Sequence, residues 1–426
     1  MRFRSLVLTA IVIVAAGAAA CVPHRSSASA RHVRPDSTRI RADIEFLASD
    51  ALEGRGTGTA GNDSAAAFAA RRYQLLGLQP LGRDYLLPFA ARSAMLAHSG
   101  GPAELPTQNV AGLLPGTDPA LRGQVIVIGA HIDHLGRSSV GALDDDAGAI
   151  IRNGADDNAS GTAAVLELAR VLGARPLRRP VLFVNFSGEE LGLLGSQHFV
   201  GNPPVPMDSM VAMLNFDMVG RMRGDSLIVY GLGTAAEMPA LLDSANALTQ
   251  LMLRTMPDGF GPSDHSSFYA RGVPVLHFFT DLHEDYHRAT DDAHKINAAG
   301  VARVVELAEA VAREMDRVDG RLTFMNQPAP APVARTGSNV YLGSIPDMAA
   351  GGTPGLRLTG VRAGSPADSA GLKAGDVVVE LGGRAVTNLQ TYSDALYSHS
   401  PGDVVAVVVV RDGQRLTMRV KLGRRG

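Results

Sequence analysis

Three short stretches place histidines and acids where they can hold metal. They read HIDHLG over 131–136, GADDNASG over 154–161 and FVNFSGEE over 183–190. Imidazole and carboxylate are the donors Zn²⁺ takes where thiolate is absent, and the one cysteine, Cys21, lies far upstream. Asp217 follows Asn215-Phe216, and His287 lies in EDYHRATDD. Each residue has a plain reading beside this one. His131 alone is a hydrogen-bonded core histidine. Asp156 and Asp157 cap a helix or bridge metals. Glu189 and Glu190 form a solvated loop end, or buried neighbours whose repulsion calls for a cation. Taken together they supply two histidines and three acids for metals, with one acid spare for proton transfer. That is the requirement of a paired-metal site, where two cations about 3.5–4 Å apart activate one water. Asp133, two residues past His131, is placed to fix the tautomer of a ligating imidazole.

The elements that must position these groups alternate. QVIVIGAHID (124–133), PVLFVNFS (180–187), MVAMLNFD (210–217), LIVYGLG (227–233) and VPVLHFFT (273–280) are nearly continuous apolar runs, as in strands covered on both faces. Helical spacing falls between them at 161–172, 235–248 and 298–316. The expectation is an α/β three-layer sandwich with a mostly parallel mixed sheet. His131, Glu189, Glu190 and Asp217 then sit just past strand ends, where sites form in open sheets. Helical periodicity also starts near Ile40, and LEGRGTGTAGND (52–63) reads as a loop between two helices, with Asn62 or Asp63 capping the second. No G-K-[ST] follows, so it is not a phosphate loop. Residues 77–123 give no clear elements.

In this order the motifs resemble the secreted bacterial di-zinc aminopeptidases, relatives of aminopeptidase Y and the glutamate carboxypeptidases. HIDHLG, NGADDNASGTAAVLELAR, FSGEELGLLGSQHFV, NFDMVGR, PSDHSSF and YHRATDD carry the resemblance across residues 40–320. It implies two Zn²⁺ per chain. His131 and Asp217 would hold one, Glu190 and His287 the other, and Asp157 would bridge them. It also implies Glu189 as general base, Asp133 as the acid orienting His131, Tyr286 as a phenol near the tetrahedral oxygen, and a cis Asp157–Asn158 peptide. The substrates implied are peptides with a free N-terminus. A carboxypeptidase, a glutaminyl-cyclase-like enzyme of the same fold and a catalytically idle scaffold stand as alternatives.

A rival motif lies in the same chain. His283-Glu284-Asp285-Tyr286-His287 is literally H-E-x-x-H, with Glu306 available as a third ligand. That chemistry needs both histidines on one helix face, and RATDD breaks helical periodicity here. Asp264 and His265 are read as pocket residues or a helix cap.

The remaining segments set the context. Residues 1–21 read as a targeting segment, with Arg2 and Arg4 before an apolar run from Leu6 to Ala20. Small residues before Cys21 resemble a lipoprotein signal, with a lipid anchor on that cysteine. The alternative is a secretory signal cut after a residue such as Ala30. Both readings put the mature chain outside the cytoplasm. A tether follows over 22–38, the peptidase-like domain over 39–320 and a Pro-rich linker over 321–337. Residues 338–424, through SPADSAGLKAGDVVVELGG, resemble a small β-rich PDZ domain. The resemblance implies capture of a C-terminal peptide at Tyr341-Leu342-Gly343. With 40 basic and 42 acidic residues, no nucleic-acid surface is indicated.

Overall fold

A computed structural model describes residues 33–93, 102, 104–138, 141–144, 150–326, 340–346, 355–362, 364–387 and 389–424. The targeting segment with Cys21, most of the tether and most of the Pro-rich linker lie outside them. Among the described residues no helix is long and apolar enough to cross a membrane.

The first unit is built on an eight-stranded mixed sheet. Its strands are β1 (Leu86–Arg92), β2 (Glu104–Leu114), β3 (Val125–His131), β4 (Val181–Phe186), β5 (Met210–Phe216), β6 (Ser226–Tyr230), β7 (Met252–Thr255) and β8 (Val275–Phe279), in spatial order β1-β2-β4-β3-β5-β8-β6-β7. The centre, β4-β3-β5-β8, is parallel throughout. β1, β2 and β6 join antiparallel, and β7 pairs parallel with β6. The period-two alternation of a strand divides each central run between two cores. Ile126, Ile128 and Ala130 of β3 face one core, while Val125 and Val127 face the other.

Helices Ser37–Leu47, Ala60–Leu75, Gly161–Ala174, Met238–Thr249 and Ala298–Arg317 cover the first face. Leu194–Gly201 and His265–Tyr269 contribute Phe199, Val200, Phe268 and Tyr269 to the second. This is the expected three-layer sandwich. Helix Ala298–Arg317 shows why the sequence folds so: Val301, Val304, Val305, Ala308, Val311, Ala312 and Met315 form one buried stripe. Asn297 caps it by accepting from Gly300 N at 2.9 Å.

One cap differs from expectation. Thr59, not Asn62 or Asp63, caps helix Ala60–Leu75. Asn62 lies inside the first turn, and its Oδ1 accepts from Thr107 and Ser187 instead. The stretch left unassigned, 77–123, supplies β1 and β2.

The second unit has its own core, including Val340, Leu342, Leu356, Val378, Leu381, Tyr392, Ala395, Val407 and Val409. Strands Ser344–Pro346, Leu356–Val361, Val377–Leu381, Val404–Arg411 and Gln414–Lys421 form its sheet in that order, with helix Leu389–Tyr397 beside it.

Candidate active site

Parallel packing of β3, β4 and β5 brings three carboxyl ends together. His131 is the last residue of β3 and registers with Phe186 of β4. Glu189 and Glu190 follow β4 through Ser187 and Gly188, whose φ of 81° turns the chain sharply. Asp217 follows β5, its N–H bonded to Phe278 O of β8 at 3.3 Å. Asn158 ties the 154–161 loop to the same edge. Its Nδ2 donates to Phe216 O at 2.8 Å, and its Oδ1 accepts from Gly161 N and Met218 N. The Asp157–Asn158 peptide is cis.

The side chains converge. His131 Nε2 lies 3.3 Å from Asp157 Oδ1 and 3.3 Å from Asp217 Oδ1. His287 Nε2 lies 3.2 Å from Asp157 Oδ2 and 3.2 Å from Glu190 Oε2. The two oxygens of Asp157 thus face different histidines. Glu189 is grouped with His131 and Glu190, their donor atoms all within 4.8 Å of one another. The donors fit a metal pair. A tetrahedral centre with bonds of 2.0–2.1 Å separates its ligand atoms by about 3.3 Å, and four carboxylates crowded into a buried pocket call for compensating cations.

The electrostatics point the same way. Burial works against protonation of His131 and His287, but the carboxylates around each hold the imidazole well above its ordinary value. Burial, with Glu190, Asp217 and Asp264 nearby, lifts the Glu189 carboxyl well above the usual range despite His131. Tyr286 stacks on His287 with ring centroids 3.8 Å apart. Burial and the four carboxylates raise its phenol well above 10.

Asp133 acts differently from expectation. His131 Nδ1 bonds to the Asp133 backbone carbonyl at 3.1 Å, while the Asp133 carboxylate stands 3.9 Å from that nitrogen. The carboxylate is engaged elsewhere, accepting from Thr57 Oγ1 at 2.7 Å and from Glu189 N at 3.2 Å. It therefore braces the loop that carries Glu189. Asp156, read as a second bridging acid or a cap, turns away from the cluster: Oδ1 accepts from Gly220 N and Ser160 Oγ, and Oδ2 faces His283 Nε2 at 3.1 Å.

The H-E-x-x-H histidines are split by the same geometry. Residues 283–287 lie in turns rather than a helix, His283 serves Asp156, and Glu284 is exposed.

Several supporting residues were not singled out from the sequence. Arg55, fully buried, donates to Ile132 O at 3.0 Å, Asn153 O at 2.7 Å and Gly154 O at 2.9 Å, and so joins two ligand-bearing loops. Burial pushes its guanidinium down to about 10, against the pull of Asp133 and Asp157. Asp291 accepts from the backbone N–H groups of Asp156 and Asp157 and from Arg221. His134 bonds Glu190 at 2.7 Å. His134 lies inside HIDH, Asp291 inside YHRATDD and Arg221 inside NFDMVGR, each beside a residue already chosen, whereas Arg55 carried no such signal.

Residues 109–312 match peptidase family M28, and residues 339–422 match the PDZ domain. The chain carries an M28 peptidase domain followed by a PDZ domain. The chain is 28% identical over 316 residues to leupeptin-inactivating enzyme 1 of Streptomyces exfoliatus, covering 66% of this chain and 67% of that protein. It is 30% identical over 180 residues to aminopeptidase YwaD of Bacillus subtilis, covering 38% of this chain and only 37% of that one. Among solved structures, BSAP, a zinc aminopeptidase from Bacillus subtilis, shares the fold of the M28 domain. Its TM-score is 0.53 at 19% identity, covering 70% of this chain and 98% of that one.

Proposed function

We propose that the M28 domain is an aminopeptidase that removes N-terminal residues from peptides with two zinc ions. The observation that carries this reading is the division of Asp157, one oxygen toward His131 and the other toward His287. His131 and Asp217 would hold one ion, Glu190 and His287 the second, with Asp157 shared. A zinc pair so held would acidify a water and polarise the scissile carbonyl. Glu189 takes the proton of the attacking water and returns it to the leaving amine. The Asp133 carboxylate, bonded to Glu189 N, fixes where that base stands. Tyr286, stacked on His287, would donate to the tetrahedral oxygen.

Met218, Ile228 and Phe279 pack with Tyr230, Met256, Leu282 and Tyr286 beside Asp217. This group suits an apolar side chain at the substrate's first position. The PDZ domain would dock a C-terminal peptide at Tyr341-Leu342-Gly343, which leads into strand Ser344–Pro346. The enzyme would act outside the cytoplasm, a reading that rests on residues 1–21, with a lipid on Cys21 as its anchor.

Turnover of leucine p-nitroanilide, with and without an acetyl group on its α-amine, tests the activity. The free amine should be hydrolysed, and chelation should abolish the reaction. Hydrolysis of the blocked substrate alone, release from peptide C-termini alone, or no turnover by zinc-replete protein would overturn it.

A further inference from the structure

His134 has the burial and contacts of a metal-centre residue, and its donor atom lies within 4.8 Å of those of Asp157 and Glu190, but its spacing to Glu190 is that of a hydrogen bond. It lies three residues past His131 and is 1% exposed. Its backbone N–H bonds to Arg55 O at 3.3 Å, and it forms an isolated parallel bridge with Gly56. The ring occupies a cradle that Gly154 leaves open. A Cβ on Gly154 would fall 2.4 Å from the ring's Cγ and Cδ2. The ring meets His287 edge-on, with centroids 5.8 Å apart.

The distances separate two kinds of contact. Donor pairs across the two presumed metal positions stand 3.2–3.3 Å apart. His134 Nδ1 stands 2.7 Å from Glu190 Oε1, and 3.8 Å from Asp157 Oδ2. A separation of 2.7 Å is that of a charge-assisted hydrogen bond, and it leaves room for a proton rather than a metal ion. The other ring nitrogen, Nε2, is buried and has no hydrogen-bond partner among the described residues. A neutral imidazole in this setting carries its proton on Nδ1, because a bare lone pair there would face a carboxylate oxygen.

We propose that His134 is a positioning residue for the second metal. It donates Nδ1–H to Glu190 Oε1 and so reserves Oε2, the oxygen facing His287, for the ion. Without this bond Glu190 is free to rotate, to offer both oxygens, or to swing toward Glu189. The inference rests on the two-zinc reading and concerns one of its two positions.

Zinc binding to the full chain tests it. Metal-free wild type, His134→Ala and His134→Asn are titrated with zinc against a chromophoric chelator, and bound metal is counted by mass spectrometry. The amide nitrogen of asparagine stands where Nδ1 stood, so this variant restores the donor. Wild type should bind two zinc ions. His134→Ala should keep one tight ion and hold the second about 10- to 100-fold more weakly, the usual effect of losing an outer-shell partner. His134→Asn should return close to the wild-type value.

Two tight ions in His134→Ala would overturn the inference while leaving the two-zinc reading intact. So would a His134→Asn variant as weak as alanine, or a cobalt-substituted His134→Ala whose visible spectrum shows a lost nitrogen ligand. A wild-type chain that takes up no zinc would sink the metal reading itself, and this inference with it.

Discussion

At the scale of residues, the two adjacent glutamates have unlike tasks set by what each faces. Glu190 is bonded to His134 and faces His287 at 3.2 Å, whereas Glu189 has its backbone held by Asp133 and its carboxyl lifted by burial and acids. Glu189→Gln should retain both zinc ions and lose about 10²- to 10⁴-fold in kcat, the range for a lost general base. Glu284→Gln, altering the exposed acid of the H-E-x-x-H string, should leave kcat and zinc content unchanged. Steady-state kinetics with metal counting reads both.

Asp264 supplies a second test at this scale. It is fully buried, and burial lifts its carboxyl to about 7, with Asp133 and Asp217 adding and His131 and Ser196 subtracting. The ordinary value is 3.8. Between these two values the folded chain holds a proton that the unfolded chain has released. Stability therefore falls as pH rises from about 4 to about 7 and levels off above. Asp264→Asn should flatten that slope, by up to about 4 kcal/mol across the window for a shift of this size. Urea unfolding of both proteins from pH 4 to 8 measures it.

At the scale of elements, the central strands were legible because both their faces are buried, which leaves unbroken apolar runs in the sequence. β1 and β7 lie at the sheet's two edges, and β1 and β2 are interrupted by Pro88 and Pro106. Edge exposure in β1 and β7, and the proline in β2, leave no such run. The converging side chains were legible for a related reason, since each follows a readable strand or lies in a recognisable motif. The supports were not. Arg55 reaches Ile132, Asn153 and Gly154 across gaps of 77, 98 and 99 residues, and nothing in LEGRGTG announces that reach. Asp133 was legible as an acid beside a ligand, but which atom of it meets His131 is settled only by the turn after β3. Arg55→Met should strand the carbonyls of Leu47, Ile132 and Asn153, with Gly154 O still accepting from Ala159 N, each costing about 1–3 kcal/mol when unpaired. The expected outcome is a loss of at least about 3 kcal/mol in denaturant unfolding, with weakened zinc binding. A change under about 1 kcal/mol would show that the loops hold without it.

At the scale of the whole molecule, the two units bury separate cores. The cores of the first unit end at Phe324, and that of the second begins at Val340. The Pro-rich stretch read from the sequence as a linker, 321–337, falls largely between these two cores. A chain ending at residue 326 should therefore fold and hydrolyse aminoacyl nitroanilides at close to the full-length rate. On the proposed docking role it should lose efficiency, as a higher KM, only toward peptides bearing a C-terminus the PDZ domain accepts. An equal loss on both substrate types would assign that domain a structural part instead.

The M28 domain as a whole converges on one carboxylate, Asp157, set between two histidines that lie 156 residues apart in the chain. Anomalous diffraction at the zinc edge from crystals of the zinc-loaded protein tests this most directly. The account predicts two peaks about 3.5–4 Å apart, one on each side of the Asp157 carboxylate. A single peak, or density at His283 in place of the Asp157 pair, would contradict it.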